Sequence, residues 1–216
     1  MIMNLATTID HTVLKPDSTL ADVQKVCSEA ITHRFASVCI LPWYVERAYG
    51  ILASASIPVC TVVGFPLGAS TTASKVAESE IAIRQGAQEI DMVASITAVK
   101  SGLFDEVYQD IREVTQAVHA GGAMVKVIIE TCLLTDEEKK RLCSIVTQAG
   151  ADFIKTSTGF STGGATIADV QLLRSNVGPS VRVKASGGIR DRETAIAMIN
   201  AGADRLGTSS GVLIIQ

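Results

Sequence analysis

GADFIK (150–155) is one of three copies of a pattern, with GAQEID (86–91) and GADRLG (202–207), in which a Gly-Ala pair ends a helix and turns into an apolar strand. Repeated hand-over from helix to strand means strict alternation, which implies parallel strands joined by right-handed crossovers. Working outward, short β-branched or apolar runs predict strands at 7–12, 37–41, 59–65, 89–95, 124–130, 152–158, 181–186 and 204–210. Between them, Ser18 or Thr19 opens a helix, Thr135 with Glu138 forms a capping box, and Gly86, Gly150 and Gly202 close others. Eight such units predict an α/β fold, a single-domain (β/α)8 TIM barrel over residues 1–216. The alternative is an open doubly wound sheet, but no strand is followed by its G-x-G-x-x-G phosphate fingerprint. The repeat sets Asp91, Lys155 and Gly207 at one level of three staves.

Composition narrows the function. The chain has 216 residues, 47% of them hydrophobic, and a formal net charge of -3. It carries no basic footprint for nucleic acid and no polybasic membrane patch, so the expected partners are small molecules. Five cysteines, scattered and never spaced as C-x-x-C, indicate neither a disulfide framework nor a zinc knuckle. They read as reduced thiols of a cytoplasmic protein. No secretory leader pattern opens the sequence, and no apolar run reaches membrane-spanning length. His11, His33 and His119 lie far apart, the last two on predicted helices, so no metal centre is expected.

Lysines in strands usually face solvent. Both faces of a barrel strand are covered, however, and Lys126, Lys155 and Lys184 all sit within apolar runs near strand C-termini, where barrel enzymes place their chemistry. Alternation groups Phe153, Lys155 and Ser157 on one face, Arg182, Lys184 and Ser186 on another, and Glu89, Asp91 and Val93 on a third. Burial and a second like charge disfavour an ammonium ion, which is how an amine becomes a nucleophile near neutral pH. Attack on a carbonyl gives an iminium, an electron sink that permits carbon–carbon cleavage, with Asp91, Lys184 and a water moving protons. A purely structural ion-pair cluster is the competing explanation.

Two loops suit an anion. KASGGIRDRETA (184–195) places Gly187 and Gly188 before a helix starting near Asp191, and GTSSGV (207–212) sets Ser209 and Ser210 between glycines. Loops after strands seven and eight commonly hold phosphate here, because glycines let backbone N–H groups approach the oxyanion. STGFSTGG (157–164) adds donors around Gly159. Asp10, His11 and Thr12, at the end of the first strand, are ambiguous between substrate contact and structural hydrogen bonding. Cys39 borders the pocket or simply packs, Trp43 and Tyr44 line an entrance or nothing, and DEEKKR (136–141) is a solvated helix face.

IDHTVLKPDST (9–19), GFPLGAS (64–70), EIDMV (89–93), VKVIIET (125–131), FIKTSTGFSTGGAT (153–166), VKASGGIRD (183–191) and RLGTSSGV (205–212) together resemble the deoxyribose-phosphate aldolase family. The resemblance spans nearly the whole chain, in order. It implies a class I, metal-independent lyase that cleaves 2-deoxy-D-ribose 5-phosphate to acetaldehyde and D-glyceraldehyde 3-phosphate, in deoxyribonucleotide catabolism, without a cofactor. It further implies Lys155 as Schiff-base residue, Lys184 as the lysine that tunes it, and Asp91 in the proton relay. Asp10 and Thr12 would support that relay, Gly187, Gly188, Gly207, Ser209 and Ser210 would hold the phosphate, and the molecule would be a homodimer. Leu41, Ala94, Ser95, Thr97 and Leu213 depart from the family pattern and are expected around the pocket. That motivates the expectation of a divergent or engineered member with altered acceptor choice. Two readings without covalent chemistry stay open: a sugar-phosphate isomerase or transferase using Asp91 as base, and a non-catalytic phosphoester-binding barrel.

Overall fold

The computed structural model describes residues 4–216, so the first three residues of the expected domain lie outside the described residues. Eight parallel strands close a barrel in sequence order: β1 Ile9–Val13, β2 Ser37–Ile40, β3 Val59–Val63, β4 Glu89–Val93, β5 Met124–Ile128, β6 Phe153–Lys155, β7 Arg182–Ser186 and β8 Arg205–Thr208. Each is followed by helix: α1 Leu20–His33, α2 Val45–Leu52, α3 Thr72–Arg84, α4 Ile96–Lys100 with α5 Phe104–Ala120, α6 Asp136–Gln148, α7 Ile167–Asn176, α8 Arg192–Asn200 and α9 Gly211–Ile215. The architecture is the expected (β/α)8 barrel. The strands are shorter than predicted at most ends. The largest difference is at 152–158, where only Phe153–Lys155 is strand and Thr156 to Thr158 turn away into a loop.

Helix starts follow from side-chain chemistry. Thr19 and Thr135 each accept a hydrogen bond from the third helical residue, Asp22 and Glu138, whose carboxylates accept from the cap backbone in return. Thr135→Ala is expected to cost about 1 kcal/mol. Calorimetry should show Tm lower by about 2–4 °C for a domain of this size, with catalysis unchanged. The charged face of α6 is not wholly solvated: Lys139 pairs with Asp169 of α7 at 2.6 Å and with Asp136 at 3.0 Å.

The hydrophobic core lies between sheet and helices. Ile9, Val38, Ile40, Val59, Ile90 and Val127 point outward from the strands and are fully buried there. At about 1.5–3 kcal/mol for each such side chain, this layer carries most of the folding free energy.

The lumen differs. Following the pairing once around the sheet displaces the register by about eight residues, the shear of this architecture. Inward side chains therefore form layers contributed by alternate strands. The floor holds Ser37, Glu89, Phe153 and Arg205; above it lie Asp10, Cys60, Lys126 and Lys184, and then Cys39, Asp91, Lys155 and Gly207. Asp91, Lys155 and Gly207 thus share a level once the strand tilt is counted. Such layers ordinarily hold Val, Ile and Leu. Filling them with charge costs stability, and function is the usual reason for accepting that cost.

Candidate active site

Asp91 is the hub. Its Oδ2 accepts from Lys155 Nζ at 2.7 Å and Lys184 Nζ at 2.8 Å, and its Oδ1 accepts from Lys126 Nζ at 2.9 Å and Cys60 Sγ at 3.1 Å. All of these residues are at most 3% exposed. Lys126 also meets Glu89 at 2.5 Å. Asp10 pairs with Lys184 at 2.5 Å and Arg205 at 2.5 Å, and accepts from Ser37 Oγ at 2.7 Å.

The electrostatics follow from these contacts. Burial alone would raise the Asp91 carboxyl, but Lys126, Lys155 and Lys184 outweigh it and hold the group well below the usual carboxylate range. Asp10 is lowered likewise, burial being overcome by Lys184, Lys126 and Arg205. Burial opposes the charge on Lys126, yet Asp91, Cys60, Glu89 and Asp10 hold its ammonium form well above the ordinary lysine range. Lys184 behaves similarly, against burial, through Asp10 and Asp91. Burial also pushes the Cys60 thiol well up, so it remains a donor to Asp91.

Three carboxylates (Asp10, Glu89, Asp91) therefore face four cationic side chains (Lys126, Lys155, Lys184, Arg205). Lys155 differs from the other lysines: it pairs with Asp91 alone, and shares that oxygen with Lys184. Cys39, Cys60 and Asp91 come close enough to form a ligand set. Asp91 is already saturated by three lysines, whose charges oppose an added cation.

The expected anion end is assembled from backbone. Gly187 has φ +85°, and a β-carbon there would lie 3.0 Å from the α-carbon of Gly164 and 3.7 Å from that of Gly159. Ala165 N–H donates to Ser186 O at 3.0 Å and Gly187 O at 3.1 Å, so the loops after β6 and β7 are fastened together. Ser186 Oγ is buried beside them without a hydrogen-bond partner among the described residues. Gly188 follows with φ +82°. Gly207 faces the lumen, where its missing side chain leaves room for the stem of Lys184. Ser210 N–H donates to Thr208 Oγ1 at 2.9 Å, and with Ser209 it also borders an outer cleft of about 280 Å³ that includes His11, Lys25 and Glu29.

The structure separates the ambiguous residues of the first strand. His11 is a structural hydrogen-bonding residue: it faces outward and bonds Glu29 at 2.6 Å, away from the lumen. Thr12 donates to the backbone carbonyl of Asp10 at 2.8 Å and does not reach its carboxylate. Lys126, expected as a supporting pocket residue, bonds Asp91 directly and belongs to the central network. Of the departures from the family pattern, Leu41 packs at the mouth with Leu14, Cys39, Cys60, Val62 and Phe65. Ala94 points into the outer core, Ser95 precedes α4, Thr97 is exposed on α4, and Leu213 is exposed on α9. They do not gather around one pocket. Trp43 is exposed after β2, while Tyr44 donates to Ser18 O at 3.1 Å. Glu89, Cys60 and Arg205 were missed as site residues, although Glu89 and Arg205 stand two residues before Asp91 and Gly207 on the same strand faces.

Known proteins are similar to this chain in sequence and fold. A profile of the DeoC/LacD family aldolases matches residues 4–216. A deoxyribose-phosphate aldolase of Brevibacillus brevis is 57% identical over 99% of this chain and 96% of its own length. Among solved structures, the aldolase QR15 superposes with a TM-score of 0.94 at 43% identity, covering 100% of this chain and 95% of its own. The tetrameric deoxyribose phosphate aldolase from Aeropyrum pernix gives a TM-score of 0.92 at 36% identity, over 98% and 89%. With its whole described length matched by that profile and a charged lumen in place of an apolar one, the chain belongs to the DeoC/LacD family of aldolases.

Proposed function

We propose that this protein reversibly cleaves 2-deoxy-D-ribose 5-phosphate to D-glyceraldehyde 3-phosphate and acetaldehyde through a Schiff base on Lys155. The observation that carries the reading is the charge imbalance around Asp91. Four cations face three carboxylates, and Lys155 is the one whose single carboxylate oxygen is shared with a second lysine, while Lys126 and Lys184 each have a further carboxylate of their own.

The free amine of Lys155 attacks the substrate aldehyde carbon, and loss of water from the carbinolamine gives the iminium. Departure of the carbon–carbon bonding electrons into that sink releases glyceraldehyde phosphate once its hydroxyl proton is removed. The remaining enamine is protonated on carbon, and water then returns acetaldehyde and the amine. Asp91 stays ionised and orients the amines on both its oxygens, so Lys184 and a water on Asp91 are the proton carriers. Asp10, with Cys39 and Lys126 nearby, braces that network. Gly159, Gly187, Gly188, Gly207, Ser209 and Ser210 are assigned to the phosphate, and Ser186 Oγ offers a further free hydroxyl. Thr12 stands at the rim.

The chemistry needs no metal, because the iminium supplies the electron sink that a Lewis acid would otherwise provide. Four of the five thiols are buried and all are unpaired, in keeping with a reducing cytoplasm; among the described residues no helix is long and apolar enough to cross a membrane. We assign a homodimer on family resemblance, to be read by light scattering. The function is tested by coupled assay of deoxyribose 5-phosphate cleavage with and without chelator. Turnover insensitive to chelator is expected, whereas absence of cleavage, or its loss on chelation, would refute the assignment.

A further inference from the structure

Glu130 is an outlier. It follows β5 with φ +50°, in the left-handed region that a side chain other than glycine or asparagine seldom occupies, and it is only 3% exposed. Its carboxylate reaches across to the loop after β6. Thr158 N–H donates to both its oxygens, at 3.2 and 3.3 Å, and Thr158 Oγ1 makes a very short hydrogen bond to Oε2. The neighbouring backbone adds two ties, Ile129 N–H to Lys155 O at 3.0 Å and Thr131 N–H to Thr156 O at 2.9 Å. Thr158 Oγ1 in turn accepts from Phe160 N–H at 3.1 Å, and the Phe160 ring packs edge-on against Phe65 at 5.3 Å.

The loop is thus held from two sides. On one, Ala165 and the glycine contacts fasten it to Gly187; on the other, the only side chain among the described residues that bonds the Thr158 N–H is that of Glu130. Gly159 lies between these fixings. A backbone forced into a rare conformation, with its carboxylate spent on two donors of a single residue, is strain retained for a position rather than for a core contact.

We infer that Glu130 is a positioning residue for the anion end: it holds the loop 156–160 so that Gly159 stays against Gly187, and so sets preference for a phosphorylated over an unphosphorylated substrate. The inference rests on the reading of that end as the phosphate site. It adds a residue whose effect is confined to the phosphate and does not reach Lys155.

Steady-state kinetics on 2-deoxyribose 5-phosphate and 2-deoxyribose test it, using Glu130→Gly, which suits the backbone but deletes the carboxylate, and Glu130→Gln, which keeps an acceptor. Glu130→Gly is expected to raise KM for the phosphorylated substrate about 10- to 100-fold, the range for losing a charged hydrogen bond. Its kcat, and kcat/KM for 2-deoxyribose, should stay within about threefold of wild type. Glu130→Gln should recover most of the KM. If Glu130→Gly fails to fold, Thr158→Val, which removes the hydroxyl partner, should give the same split. Equal losses on both substrates, no change on either, or glutamine as damaging as glycine would overturn the inference. Borohydride trapping of acetaldehyde on wild-type Lys155, run in parallel, separates its failure from failure of the active-site reading.

Discussion

Lys155→Met is expected to lower kcat for deoxyribose phosphate cleavage by at least about a thousandfold while leaving the fold intact. Methionine matches the length and much of the volume of the lysine stem but brings no amine. If the lysine is the nucleophile, covalent chemistry stops and only residual binding effects remain. The stability consequence separates this account from a structural ion-pair cluster. Breaking a buried pair that the fold depends on costs about 3–5 kcal/mol, because a charge is left uncompensated. Here removal of Lys155 leaves three carboxylates opposite three cations, and Asp91 retains Lys126 and Lys184. Tm should therefore hold or rise. A variant that loses several degrees together with activity would favour the structural cluster.

Asp91→Asn should damage both properties. The substitution keeps the shape but removes the charge against which three lysines are packed. A loss of about 10²–10⁴ in kcat is expected from the disordered proton path. Unfolding free energy should fall by about 3–5 kcal/mol, which at about 2–4 °C per kcal/mol is readily seen by calorimetry. The pH dependence has a definite sign. The Asp91 and Asp10 carboxyls are lowered in the folded state. Their contribution is fully present above the unfolded carboxyl value of about 3.9 and is lost as pH falls through the folded values beneath it. Lys126 and Lys184 are raised, so their contribution is complete below about 10.4 and is lost only as pH climbs beyond that. Wild type should accordingly show a flat stability plateau across neutral pH, with an acid limb below about pH 4 that is weakened in Asp91→Asn. An acid limb unchanged by the substitution would contradict this account of the lumen.

The fold was legible because each strand is an apolar run bounded by cappable helices, as where Thr135 and Glu138 announce α6. Strand ends were less so. Thr156 to Thr158 look extended in sequence, but the Thr156 hydroxyl bonds Ser186 and Thr158 bonds Glu130, partners whose proximity depends on closing the barrel. Lys155, Lys184 and Asp91 stood out as charges inside apolar runs. Cys60 did not, because a buried thiol reads as packing, and its contact with Asp91 appears only when β3 and β4 are in register. Glu130 was hidden for a different reason: no local pattern marks a glutamate that adopts a left-handed backbone and points at a neighbouring loop. The departures from the family pattern misled in the opposite way. Ala94 and Leu213 are near the site in sequence, yet one faces the outer core and the other solvent.

The central claim is that Lys155 becomes covalently bound to substrate while Lys126 and Lys184, paired with carboxylates of their own, do not. Borohydride reduction of the protein with acetaldehyde, followed by peptide mass mapping, tests it directly. The account predicts a single ethyl group on Lys155 and none on Lys126 or Lys184. An adduct on Lys184 instead, or cleavage of deoxyribose phosphate with no adduct at all, would contradict it.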